Sequence, residues 1–474
     1  MSDLAYRPAH EIAAAVRRRE LSPVEVMEAT LARIAAVNPT LNAFVALRAE
    51  AAMADARALG ERIARGEDPG PLAGVPFGVK DEESLQGLAT TYGSVPFREN
   101  VATRDSTQVA RLRRAGAIPV GKTNMPEFGS TAFTKNHLFG VTRNPWNLSR
   151  TPGGSSGGSS AAVAAGMVPI ATGGDGGGSI RIPASYTGLV GIKATFGRIS
   201  RGPLSVRDWV DTISRGPLTR CVTDTALCLD AVAGYDPHDP DSLAHAGPSY
   251  IDGLERVPSG LRLAYSPTLG YARVDPEVRT LVERAIEVVG RTLGRPVERV
   301  ADRFTDVGFA WATLNSFQTF GRLAPLVEQH RGEWGRGFLK GISFGSAIGA
   351  ADVARCQDER RQLIDEMAAL FARCDVLLTP TVPSVAFPAG GPMPSEIDGE
   401  RLTSPIHAVA FSYPFNMTGH PAITLRCGLT AAQMPVGLQI VTERGREDLL
   451  LQVARAYERE CPADEWPREP RPGA

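Results

Sequence analysis

The sequence predicts an α/β fold, a single large domain built on a mixed β-sheet covered by helices on both faces. Three observations lead there. From Gly74 onward, short apolar runs bounded by glycine and proline alternate with helical stretches. The chain has 474 residues and is 43% hydrophobic, enough to bury a large core. No internal repeat or charged low-complexity block divides it into modules.

The elements follow in order. Ser22-Pro-Val-Glu25 is a capping box with proline at the first helical position, and Val26, Leu31, Ile34 and Val37 recur near helical spacing as far as Asn38-Pro39, which predicts a helix over 23–37. Alanine-rich stretches at 10–18 and 49–65 read the same way, so residues 1–70 form an N-terminal helical layer leading into the sheet. Buried strands are predicted at Val75 to Val79, Ile118 to Val120, Val168 to Ala171 and Leu189 to Ile192, with helices around 105–115, 157–166 and 223–233 between them. Leu261 to Tyr265, a helix over 276–293 and Val376 to Thr379 continue the alternation, and the proline-rich stretch 380–394 reads as an ordered surface loop. An inserted or appended helical region over about 300–375 is expected to shape a substrate entrance.

Charge narrows the functional classes. Fifty-one basic and fifty-two acidic side chains leave a net charge of -1, so no global field draws in nucleic acid or an anionic membrane, and a small neutral or mixed-polarity substrate fits better. The N-terminus has no apolar run of signal-peptide length and no stretch approaches a membrane span, so a cytoplasmic location is expected. Six scattered cysteines without CxxC spacing point to free thiols rather than a disulfide framework or a zinc site.

The most informative segment is Thr151-Pro-Gly-Gly-Ser-Ser-Gly-Gly-Ser-Ser160, followed by Gly173-Gly-Asp-Gly-Gly-Gly-Ser-Ile-Arg-Ile-Pro183. A flexible linker fits poorly, because the first cluster runs into an alanine-rich helix and the second follows an apolar strand. A phosphate loop is also a poor match: Gly153 and Gly158 have the right spacing, but Ser159 stands where the lysine belongs. Acyl transfer remains. Successive unhindered N–H groups at Gly176, Gly177, Gly178 and Ser179 can converge beside a serine hydroxyl as an oxyanion hole. No histidine has a local motif tying it to that serine, whereas Lys80 ends the apolar strand Gly74-Val-Pro-Phe-Gly-Val-Lys80, where desolvation would lower its pKa toward that of a base.

These residues carry a resemblance. Gly153-Gly-Ser-Ser-Gly-Gly158, Gly174-Asp175 and Gly177-Gly-Ser-Ile-Arg-Ile-Pro183 resemble the amidase signature, and Gly78-Val-Lys-Asp81 and Thr90-Thr-Tyr-Gly-Ser94 resemble its lysine-bearing strand and loop. The match continues through Gly121-Lys-Thr-Asn-Met-Pro-Glu-Phe128, Asn144-Pro-Trp-Asn147, Gly216-Pro-Leu-Thr-Arg220, Pro414-Phe-Asn-Met-Thr-Gly419 and Pro435-Val-Gly-Leu-Gln-Ile440, so it covers nearly the whole chain, with residues 71–225 as the signature core. It implies the amidase signature fold, Ser179 as nucleophile, Ser155 as a bridging serine after a cis Gly154-Ser155 peptide, and Lys80 as base. It also implies supporting roles for Ser156, as a hydrogen-bond partner of the lysine or bridging serine, and for Asp175 and Arg181 around the nucleophile turn. Position 176 is glycine where many relatives carry threonine or isoleucine, which leaves the backbone donor but adds freedom to the loop.

Eight Phe and Trp side chains fall within residues 304–344. Trp311, Leu314 and Phe317 lie at helical spacing, so for these three packing against the sheet weighs at least as much as pocket lining, and the candidate substrate-pocket residues are Phe317, Phe320, Trp334 and Phe338. The implied chemistry is hydrolysis of a small, partly apolar amide, with anilide, carbamate or ester cleavage by the same route, no metal and no organic cofactor. The expected partner is that small-molecule substrate, not nucleic acid or a membrane, and a homodimer is allowed. Two other readings stand beside it: the A subunit of a glutamyl-tRNA amidotransferase, and a catalytically silent binding or assembly subunit.

Overall fold

Between their glycine and proline boundaries, eleven short runs pair edge to edge into one sheet. The computed structural model describes residues 4–204, 211–244, 247–301 and 303–472. The strands are β1 Phe44–Leu47, β2 Pro76–Lys80, β3 Ile118–Thr123, β4 Ile170–Asp175, β5 Val190–Lys193, β6 Ser214–Thr219, β7 Leu263–Tyr265, β8 Val297–Arg299, β9 Val376–Pro380, β10 Ala422–Leu429 and β11 Pro435–Thr442. Across the sheet they run β1-β3-β2-β4-β6-β5-β10-β11-β9-β7-β8.

The sheet is mixed. β2 is parallel to both β3 and β4, and β7 is parallel to β8 and β9. The pairs from β4 through β6, β5, β10 and β11 to β9 are antiparallel. β2, β3 and β4 are buried along their whole length, as strands covered on both faces must be. Helices flank the sheet, and one apolar core runs continuously from the N-terminal layer to Tyr457.

Two departures from the sequence reading are local. The helix predicted to stop at 37 continues over Pro23–Leu41 and takes Pro39 into its last turn. Asn38 Oδ1 then accepts the N–H groups of Ala43 and Phe44, and Asn42 closes the helix in the left-handed conformation. The strand predicted at Val168 to Ala171 instead spans Ile170–Asp175. Its glycines lie inside the ladder, Gly173 opposite Gly216 and Gly174 opposite Arg215.

The 300–375 stretch holds three helices, Gly308–Gln329, Arg336–Ser346 and Ala350–Phe371. Among the described residues, no helix is long and apolar enough to cross a membrane.

Candidate active site

Parallel neighbours β2 and β4, in register at Phe77 with Ile170 and Gly78 with Ala171, leave the sheet at the same edge and carry Lys80 and Asp175 there together. Lys80 is fully buried. Its Nζ donates to Ser155 Oγ at 2.8 Å and to the Gly174 carbonyl at 3.2 Å, and its backbone N–H donates to Thr172 Oγ1 at 3.0 Å. Ser155, also buried, follows a cis Gly154-Ser155 peptide and precedes helix Gly157–Ala164. Ser179 is half-buried, on the turn between β4 and helix Arg181–Thr187. The Ser156 N–H donates to the Ser179 carbonyl at 3.1 Å, so the two serine segments are tied backbone to backbone.

That bond is what Ser156 contributes. The expected side-chain bond to the lysine or bridging serine is not made: Ser156 Oγ is buried and has no hydrogen-bond partner among the described residues.

The turn that carries Ser179 is organised by Asp175. Its Oδ1 accepts the N–H of Gly178 at 2.7 Å and its Oδ2 that of Ile180 at 3.2 Å. Arg181 donates Nε to Oδ2 and Nη2 to Oδ1, each at 3.0 Å, and reaches Gln439 and Asn416 with its remaining donors. Burial alone would raise the Asp175 pKa, but the Arg181 charge and the hydrogen bonds of Arg181 and Asn416 outweigh it and hold the carboxyl well below the usual range. Gly178 sits at φ 121°, where a side chain is strained and where a Cβ would overlap Ser412.

This geometry corrects the expected four-donor cradle. The Gly178 N–H is committed to Asp175, so only Gly176, Gly177 and Ser179 remain as candidate oxyanion donors. At position 176, where glycine adds backbone freedom, the carbonyl accepts Trp311 Nε1 at 2.6 Å, a contact that restrains the loop.

Ser179 opens into a cavity of about 420 Å³ whose walls include Phe128, Trp311, Phe338, Ile342 and Val409. Of the four aromatic candidates, only Phe338 lines it. Phe317 is 38% exposed, while Trp334 is buried in a satellite cluster behind the cavity wall, with Phe320 packed against that cluster. Residues three apart on a helix precess by about 60°. Trp311, Leu314 and Phe317 therefore do not share one packing face: the first faces the cavity, the second the core and the third solvent. Phe128, stacked between Tyr92 and Phe338 at centroid distances of 5.3 and 5.1 Å, was visible in sequence only as the end of a motif.

One acid near the lysine had no sequence signal. Glu82, the middle residue of Asp81-Glu82-Glu83, places Oε1 3.3 Å from Lys80 Nζ. Among the described residues one cluster, His10, Cys221 and Asp224, has metal-ligating atoms within reach of one another. Asp224 there accepts the N–H groups of Ala9 and His10 and is also bonded to the His10 ring, so its oxygens are already used in fixing the start of helix Ala9–Arg17.

The pattern of the amidase family matches residues 25–451. An acylamidase of Rhodococcus erythropolis is 39% identical over 98% of this chain and 98% of its own length. The A subunit of the glutamyl-tRNA(Gln) amidotransferase of Moorella thermoacetica is 38% identical over 96% of this chain and 97% of its own. The crystal structure of a bacterial aryl acylamidase of the amidase signature family superposes with a TM-score of 0.89 at 31% identity, over 96% of each chain.

Proposed function

The chain belongs to the amidase family of hydrolases acting on amide carbon–nitrogen bonds, and from that premise we propose that it hydrolyses a small, partly apolar acyl amide through Ser179, Ser155 and Lys80. In this mechanism Ser179 Oγ attacks the amide carbonyl as its proton passes to Ser155 Oγ, whose own proton passes to neutral Lys80 across the 2.8 Å contact. The N–H groups of Gly176, Gly177 and Ser179 receive the oxyanion as it forms. When the tetrahedral intermediate collapses, Ser155 gives a proton to the departing nitrogen and regains one from the Lys80 ammonium. A water then attacks the acyl-enzyme, its proton taking the same route, and Ser179 is regenerated.

The observation that carries the substrate class is the cavity wall. Among the described residues none of the side chains lining it is charged, and Trp311, Phe338, Ile342 and Val409 give it an apolar face. Glutamine would bring an ammonium and a carboxylate that need charged or strongly polar partners in such a space. An acyl or aryl group needs only to exclude water. This favours a stand-alone acylamidase over a component of an amidotransferase.

The test is turnover by the purified chain alone on a panel of acyl anilides, aliphatic amides, carbamates, esters and glutamine. Cleavage of acyl anilides or apolar amides with no glutaminase activity is expected. Glutamine hydrolysis that appears only with partner proteins and charged tRNA would reverse the assignment.

A further inference from the structure

Lys80 meets more than Ser155 at the base of the site. The Glu82 oxygen 3.3 Å from its Nζ also accepts Arg215 Nη1 at 2.6 Å. The Glu82 and Arg215 side chains are 2% and 4% exposed, so bulk water screens neither charge. The backbone is shaped for this contact. A Cβ on Gly174 would overlap Glu82 Oε1 and crowd Arg215 Nη1, so glycine at 174 admits the carboxylate beneath the lysine. The carbonyl of the same glycine is a second acceptor for Lys80. Arg215 lies on β6 directly opposite Gly174 of β4, so the sheet fixes the position from which its side chain reaches Glu82.

We propose that Glu82 is a positioning residue of the reaction, holding the Lys80 amine against Ser155, and that Arg215 limits that hold by competing for the same carboxylate oxygen. The inference rests on the reading of Lys80 as proton acceptor given above. Attack on substrate needs Lys80 neutral. A carboxylate in contact keeps the amine protonated to higher pH, and a guanidinium bound to that carboxylate weakens the effect. Among the described residues, the other charged groups around this point are Asp81 and Glu83 on the same loop, Lys122 on β3 and Asp175 at the end of β4. Asp81 lies 3.5 Å from Lys122, Asp175 is held by Arg181, and burial pushes the Glu83 carboxyl up toward its neutral form.

The two members of the pair therefore have opposite effects, which a purely structural role would not produce. The experiment is the pH profile of kcat/KM on an acyl anilide for wild type, Lys80→Ala, Glu82→Gln, Glu82→Asp, Arg215→Met and Arg215→Lys. Glu82→Gln should move the Lys80-dependent alkaline limb toward acid by about 1 pH unit, and Arg215→Met should move it toward alkali by a comparable amount. Glu82→Asp and Arg215→Lys, which keep the charges, should stay near wild type. If Arg215→Met does not fold, the contrast between Glu82→Gln and Glu82→Asp decides alone. A limb that stays fixed in Glu82→Gln, or moves the same way in Glu82→Gln and Arg215→Met, overturns this inference and leaves the Lys80 relay standing. A wild-type limb that persists in an active Lys80→Ala variant overturns both.

Discussion

The Asp175 carboxylate accepts the backbone N–H of Gly178 at 2.7 Å, one residue before Ser179, while the Arg181 guanidinium grips the same carboxylate from the following helix. The turn that presents the serine is thus pinned from both sides by one buried acid. Its shape is set by an ion pair with no exposure to solvent.

Asp175→Asn should be severe for that reason. The amide keeps an acceptor for the turn but leaves Arg181 buried without a counter-charge, a change that costs about 3–5 kcal/mol. Urea unfolding should show the loss of stability, and the folded fraction should react sluggishly with a serine-directed fluorophosphonate. Wild-type stability and labelling in this variant would mean that the pair does not organise the turn.

Trp311→Phe keeps an aromatic ring beside the cavity but removes the indole N–H that holds the Gly176 carbonyl at 2.6 Å. One such bond contributes about 1 kcal/mol, so roughly a fivefold fall in kcat/KM is expected with little change in melting temperature. A fall confined to KM would assign Trp311 to substrate contact alone.

The aromatic residues of the 304–344 stretch should separate by position. Phe338→Ala should change the ranking between bulky and small acyl groups, because the ring lines the cavity. Trp334→Ala should destabilise by about 3–5 kcal/mol, because its indole stacks on Phe338 at 5.1 Å inside the satellite cluster. Phe317→Ala, at a side chain 38% exposed, should do neither. A substrate ranking altered by Phe317→Ala and untouched by Phe338→Ala would move the pocket.

These aromatics show where the sequence stopped being legible. Gly, Ser and Lys positions of the site could be named because backbone chemistry restricts what can stand there, and the resemblance ran through the same residues. The alternation of apolar runs and helices pointed to the mixed sheet as well, though β6 and β11 were known only as motifs and β1, β8 and β10 carried no strand reading. Glu82 and Trp311 were hidden for a different reason. Each acts through a partner distant in sequence, Arg215 for one and Gly176 for the other, and neither spacing nor composition encodes a contact of that range. Gly178 was misread because its φ angle turns the N–H toward Asp175, a direction that the residue type does not specify.

His420 supplies a pH prediction for stability. It is 5% exposed, stacks on Phe371 at 5.0 Å, and burial, with the nearby Lys193 and Arg444 charges, pushes its pKa down to about 3. An unfolded histidine takes up its proton near pH 6.5, so between that pH and about 3 the unfolded state binds more protons than the native one, and stability falls as pH falls. His420→Asn removes this contribution. From pH 6.5 to 4.5 it should lose about 2 kcal/mol less than wild type by urea unfolding. Equal losses would place the proton uptake elsewhere.

Everything proposed for the reaction depends on Ser179 being the nucleophile, with Ser155 and Lys80 as its proposed proton relay. Labelling with a serine-directed fluorophosphonate, followed by peptide mapping of the adduct, addresses that assignment without knowledge of the substrate. A single adduct on Ser179 is expected, absent from a folded Ser179→Ala variant and greatly slowed in Lys80→Ala. An adduct on another residue, or full labelling of folded Ser179→Ala, would contradict it.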